Sequence, residues 1–149
     1  MLPVRKTSSW DETQITNYLE NTEQPLRLSL ISDDAPLIVP LWFMFEAGVL
    51  WCACHQSAKL ARLVDTQSHC GFDASDNTMP YRGVRGQGEV TIDKQRGASV
   101  LEELIERYLK TTNSDFARWL LSRRDEEVAL AIRPRWITAW DFSARMPKA

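Results

Sequence analysis

The stretch APLIVPLWFMF, residues 35–45, constrains this chain more than any other. From Leu37 to Phe45 it is apolar at nearly every position. Laid out as a strand, Leu37, Val39, Leu41, Phe43 and Phe45 point one way, and Ile38, Pro40, Trp42 and Met44 point the other. A strand apolar on both faces needs cover on both faces. If the inner face belongs to the core of an antiparallel barrel, the outer face must meet a partner subunit or a ligand. Pro40 has no N–H for a ladder, so one side of the strand is free there. The run is also too short to cross a membrane and is interrupted by Pro40.

The flanking sequence supplies the rest of such a barrel. Ser9-Trp10-Asp11-Glu12 has capping-box spacing, and Ile15, Tyr18 and Leu19 follow as a helical stripe, so a helix is expected over about 10–21. Leu26, Leu28 and Leu30 alternate as a first strand, and Asp33 to Pro36 turns it. Glu46-Ala47-Gly48 turns the chain into a strand over Val49 to Cys54. Ser57-Ala58-Lys59 opens a helix with the stripe Leu60, Leu63 and Val64. After a short strand, His69 to Ala74, Val84, Gly86, Gly88, Val90 and Ile92 alternate inward, their glycines marking close backbone approach or sharp curvature. A surface helix over 95–110 and a second over 114–124 precede the closing strands, Val128 to Ile132 and Trp136 to Phe142, set around the turn Arg133-Pro134-Arg135. From these seven strand segments we read an α+β domain whose barrel is expected to be six-stranded, antiparallel and split, with flanking helices.

A length of 149 residues, with 44% apolar and 26% charged, is that of a single domain, 1–149. The net charge of −2 gives no bulk attraction to nucleic acid or to an anionic membrane surface. The N-terminus lacks an apolar signal core, and three cysteines suit a reducing compartment, so a cytoplasmic location is expected. Six tryptophans imply large flat surfaces in a core, an interface or around an aromatic ligand.

The segment WCACHQSAK, residues 51–59, raises three chemical readings. Zinc is disfavoured because C-x-C-H lacks the two-residue gap of a thiolate knuckle, and Cys52 and Cys54 fall on an otherwise apolar strand. A thiol nucleophile is disfavoured because neither His55 nor His69 has an evident orienting partner. The third reading is an anion site. Ser57 is a good N-cap, and Lys59 in the first helical turn opposes the helix dipole by roughly 0.3–1 kcal/mol. That conflict disappears if an anion sits there, held by free N–H groups, the Ser57 hydroxyl and the Lys59 ammonium, with Arg62 one turn on. The alternative is that Lys59 points to solvent. Trp42 and Trp51 either flank a cofactor or pack in a core or interface.

Three segments in order resemble the pyridoxamine 5′-phosphate oxidase-like flavin-binding split barrels. Residues 36–64 resemble that family's strand, acidic-Gly hairpin, strand and SAK-type helix start. YRGVRGQGEV (81–90) resembles its next barrel strand and RPRWITAWDF (133–142) its closing strand, so the likeness spans about 26–142. The resemblance implies a flavin phosphate on Ser57 and Lys59, beside Cys54. It implies an isoalloxazine ring along the backbone of Val39, Pro40, Leu41 and Trp42, and Trp140 near the flavin. It also implies a homodimer with cofactor sites at the interface, where Arg82 or Arg85 reaches the partner's cofactor. The departures matter too. The family's phosphate-binding arginines are replaced by Leu37 and Ala58, and no histidine follows Trp140, so pyridoxamine phosphate is not the expected substrate. The implied function is an FMN-binding oxidoreductase acting on a small-molecule substrate or electron donor. The alternatives are a deazaflavin-dependent reductase and a non-enzymatic flavin or haem carrier or sensor. No metal site is expected.

Overall fold

A computed structural model describes residues 1–147. Of the domain expected over 1–149, residues 148 and 149 lie outside the described residues. The elements are α1 (Glu12–Asn21), β1 (Leu26–Ser32), β2 (Ala35–Leu41), β3 (Met44–Glu46), β4 (Val49–His55), α2 (Lys59–Thr66), β5 (His69–Ser75), β6 (Arg82–Asp93), α3 (Gly97–Leu109), α4 (Asp115–Ser122) and β7 (Glu127–Asp141), with a 3-10 turn at Arg124–Glu126 before β7. The seven strands form one antiparallel sheet in the order β2-β1-β5-β6-β7-β4-β3.

This order explains the apolar stretch. It is two strands rather than one, and they lie at opposite edges of the sheet, joined only by Trp42 and Phe43. Two edges tethered by two residues force the sheet to curl into a barrel that stays split along that seam. The two faces are then apolar for different reasons. Phe43 and Phe45 enter the main core, whereas Met44 lies under α3 with Trp51, Val100 and Leu104. Trp42 stacks on Tyr108 of α3, with centroids 5.1 Å apart and planes 4° from parallel. A helix of the same chain thus covers the outer face beyond Leu41. Ile38, 65% exposed, and Pro40 remain uncovered.

The seam is pinned by α3. The Phe43 N–H donates to the Tyr108 hydroxyl (3.2 Å), which in turn lies 3.3 Å from the carbonyls of Gln24 and Phe43. Arg107, one residue earlier, donates to the carbonyls of Leu19, Glu20 and Thr22 at the end of α1. At the other end of α1 the capping box is two residues later than expected. Asp11 and Gln14 exchange side chain-to-backbone bonds of 2.9 Å, while Glu12 accepts from the Leu2 N–H at 2.7 Å.

The two expected closing strands are one 15-residue strand, β7. Pro134 does not turn the chain. It sits at a register shift where Gln87 pairs with Trp136 and Gly88 with Pro134, so Arg135 is the extra residue of a bulge. A bulge tolerates the missing proline N–H that a regular ladder would not. The inward alternation of β6 is as expected, and Gly86 is required. A Cβ there would lie 2.6 Å from Phe72 Cζ and closer still to the Trp136 carbonyl. Ile15 and Leu19 of α1, with Leu60 and Val64 of α2, complete the barrel core.

Candidate functional site

The β4–α2 corner is held by backbone bonds. Gln56 N–H donates to the Glu126 carbonyl (2.8 Å) and Ala58 N–H to the His55 carbonyl (2.9 Å), while His55 pairs with Glu127 across β4 and β7. The N-cap of α2 is Ala58, not the expected Ser57, and no side chain caps this end. The Ser57 hydroxyl is engaged elsewhere: its oxygen lies 2.7 Å from His55 Nδ1, and His55 Nε2 lies 2.6 Å from a Glu126 carboxylate oxygen. Arg62 donates to the Ser57 carbonyl at 2.7 Å. Lys59 is exposed, with no ion-pair partner among the described residues. The corner therefore carries two cations without an acidic partner among the described residues, Lys59 and Arg62, and the free first-turn N–H groups that every helix start has.

The thiols here are not poised for attack. Burial pushes the Cys54 thiol up to about 11, and Cys70 likewise to about 11, while fully buried Cys52 is raised further in the same direction. His69 Nδ1 accepts from Arg135 at 2.8 Å, away from both cysteines of β4. Burial also raises the carboxyl of Glu127, one of whose oxygens is buried without a hydrogen-bond partner.

The other expected cofactor residues lie elsewhere. Val39 and Leu41 face the core from β2, and Pro40 and Ile38 face outward. Their outer row continues across the sheet through Ser29, Gly71, Gln87 and Trp136, lining a shallow groove of about 330 Å³. The Trp42 ring belongs to a cluster with Tyr108 and Phe116, the latter edge-on at 6.2 Å. Trp51 is 6% exposed, with the Arg96 guanidinium 4.2 Å from its ring centroid, so it packs rather than waits for a ligand.

Arg82 and Trp140 stand at the far end of the barrel, where Gly83 pairs with Trp140. Arg82 Nε donates to Asp76 (3.0 Å), which also accepts from the Tyr18 hydroxyl (2.8 Å). Trp10 Nε1 donates to Asp141 at 3.0 Å, and these residues line a cavity of about 450 Å³ with the polar face of α1. Bonds from Ser143 hold the Asp141 carboxyl below its ordinary range, and burial with the Asp76 bond raises the Tyr18 phenol. Arg85 lies over Trp140, 5.3 Å from its centroid.

Glu127, which pairs with His55, and Trp140 sit near opposite ends of β7, separated by about 40 Å of strand. One chain therefore does not bring Ser57 and Lys59 together with Arg82 and Trp140. Sequence reasoning missed Glu126 as the partner of His55. It sits in the charged run RRDEE, 71 residues from His55, and nothing local distinguishes it from a solvated carboxylate.

No protein-family model and no curated protein matches this sequence. Solved structures do resemble it. The conserved hypothetical protein Rv2991 of Mycobacterium tuberculosis has a TM-score of 0.80 at 18% identity, over 97% of this chain and 94% of that one. A structure named F420 reductase gives 0.69 at 18% identity, over 82% and 94%. The FAD-binding protein of Mycobacterium smegmatis gives 0.60 at 14% identity, over 89% and 98%. Likenesses at these identities show the fold: an α+β split barrel of the kind found in pyridoxamine 5′-phosphate oxidase-like proteins, with seven strands in place of the expected six.

Proposed function

We propose that this chain binds a flavin, FMN in the first instance, and acts as a homodimeric cytoplasmic oxidoreductase of the pyridoxamine 5′-phosphate oxidase-like family. The observation that carries the reading is the β4–α2 corner, an uncapped helix start with an uncompensated lysine, in a fold shared with proteins named as F420 reductase and FAD-binding protein. Lys59 and the first-turn N–H groups of α2 are the donors a phosphate would meet. Ser57 joins them only by turning its hydroxyl proton away from His55. The backbone of Val39, Pro40 and Leu41 would lie along the ring, and Cys54 would border the phosphate.

A bound flavin would supply the hydride chemistry, leaving grip, orientation and exclusion of water to the protein. Arg82 and Trp140 contribute to the site only if a second copy brings its far end to this corner, which is the physical argument for a dimer. The uncovered outer row containing Ile38 gives such a dimer an apolar surface to bury. A deazaflavin is the second reading, favoured by the likeness to F420 reductase and by the missing phosphate-binding arginines at Leu37 and Ala58.

The test is an absorption spectrum of the purified protein, then titration with FMN and with deazaflavin, followed by tryptophan quenching. Micromolar FMN binding that Lys59→Ala weakens about 10- to 100-fold supports the reading. Unchanged affinity in that variant removes the phosphate role of Lys59. A colourless protein that takes neither cofactor overturns the flavin assignment.

A further inference from the structure

The bonds around His55 have a chemical sense that phosphate binding does not use. His55 Nδ1 receives the backbone N–H of Ser57 at 3.1 Å. A backbone N–H can only donate, so Nδ1 is an acceptor and the ring proton resides on Nε2, facing the Glu126 carboxylate at 2.6 Å. The Ser57 hydroxyl, 2.7 Å from the same Nδ1, must then donate its own proton to it. A serine hydroxyl donating to a neutral imidazole, whose other N–H is held by a carboxylate, has the division of roles of a nucleophile, its base and an orienting acid. We propose that Ser57 is a nucleophile activated by His55 and Glu126, and that it accepts the acyl group of a small activated ester.

The arrangement is built into the backbone. The Gln56–Glu126 main-chain bond ties the 3-10 turn to the β4–α2 turn, and the pairing of His55 with Glu127 sets where Glu126 begins its approach. The His55 side chain is only 22% exposed, so its ring is held, while Ser57 stands in solvent where an acyl donor reaches it. In the step itself, Ser57 Oγ bonds to the acyl carbon as the bond from that carbon to the leaving oxygen breaks. The Oγ proton passes to His55 Nδ1 and from there to the departing alkoxide. Water then repeats the sequence on the acyl-serine, releasing the carboxylic acid and restoring the hydroxyl. No electrons are gained or lost, so neither flavin nor any other redox partner is needed.

The experiment uses flavin-free full-length protein and p-nitrophenyl acetate, reading nitrophenolate release together with the mass and position of the acetyl adduct. The expected result is an acetyl group on Ser57. Ser57→Ala should abolish that adduct, His55→Gln should slow its formation about 100-fold, and Glu126→Gln should fall between wild type and His55→Gln. All three side chains lie at a partly exposed corner, so the variants should keep the wild-type circular dichroism spectrum. Acetylation confined to lysines, or a Ser57 acetylation rate unchanged by His55→Gln, overturns the proposal. Because no flavin is present, neither result depends on the cofactor reading.

Discussion

Replacing Tyr108 with Phe removes one oxygen atom from the seam of the barrel and leaves the ring that stacks on Trp42. That oxygen accepts from the Phe43 N–H at 3.2 Å and, having one proton, donates at any moment to one of two carbonyls, Gln24 or Phe43, each at 3.3 Å. Two long hydrogen bonds contribute about 0.5–1 kcal/mol each. Phe43 is fully buried, so its N–H finds no water once the hydroxyl is gone, adding roughly 1 kcal/mol or more of desolvation. The sum is about 2–3 kcal/mol, or a fall in Tm of roughly 5–10 °C for a domain of this size. Urea unfolding followed by tryptophan fluorescence measures it, with an unchanged slope indicating that the same surface is exposed. A loss below about 0.5 kcal/mol would refute the idea that Tyr108 satisfies the backbone where the two sheet edges meet.

Other outcomes follow from the same geometry. Gly86→Ala should destabilise by about 1–3 kcal/mol in urea unfolding, because its Cβ would strike Phe72 and the Trp136 carbonyl. Gly71→Ala is the control, since its Cβ would meet nothing nearer than 3.8 Å. Cys54 and Cys70, at about 11, are thiolate in roughly one molecule in ten thousand at pH 7, so native protein should resist iodoacetamide until it unfolds. The Glu127 carboxyl is raised by burial, so its effect on stability is most favourable below the ordinary carboxylate pKa and is lost as pH rises through the folded value. Glu127→Gln should therefore gain on wild type between about pH 4 and pH 7, and equal stabilities across that range would contradict the sign.

What could be foreseen tracks what local pattern encodes. The alternation of Val84 to Ile92 and the stripe of Leu101, Leu104 and Ile105 each report one buried face, so β6 and α3 are legible in the chain. The break at Trp42 is not, because hydropathy is the same whether a residue is covered by the barrel core, as Phe43 is, or by a helix some sixty residues later, as Met44 is. Pro134 misled as a turn because a bulge and a turn both accommodate a missing N–H. Ser57 misled as a cap for a similar reason: a serine at a helix start can serve the helix or a side chain, and His55 outcompetes the helix only because Glu126 arrives from far along the chain. Lys59 at the start of α2 was foreseeable from its spacing, whereas the separation of the Ser57 and Arg82 ends required the strand order.

β7 has a consequence for how the chain comes into being. Among the described strands it alone pairs with both the β2-β1-β5-β6 set and the β4-β3 set, one on each side. During synthesis, every residue up to Glu126 can leave the ribosome without the barrel having a continuous wall. The two halves wait as open sheets until the last strand slots between them, so folding is committed late and nearly all at once. Until then the long edges of β4 and β6 are bare, and the nascent chain's exposure to aggregation is governed by how quickly those fifteen residues follow.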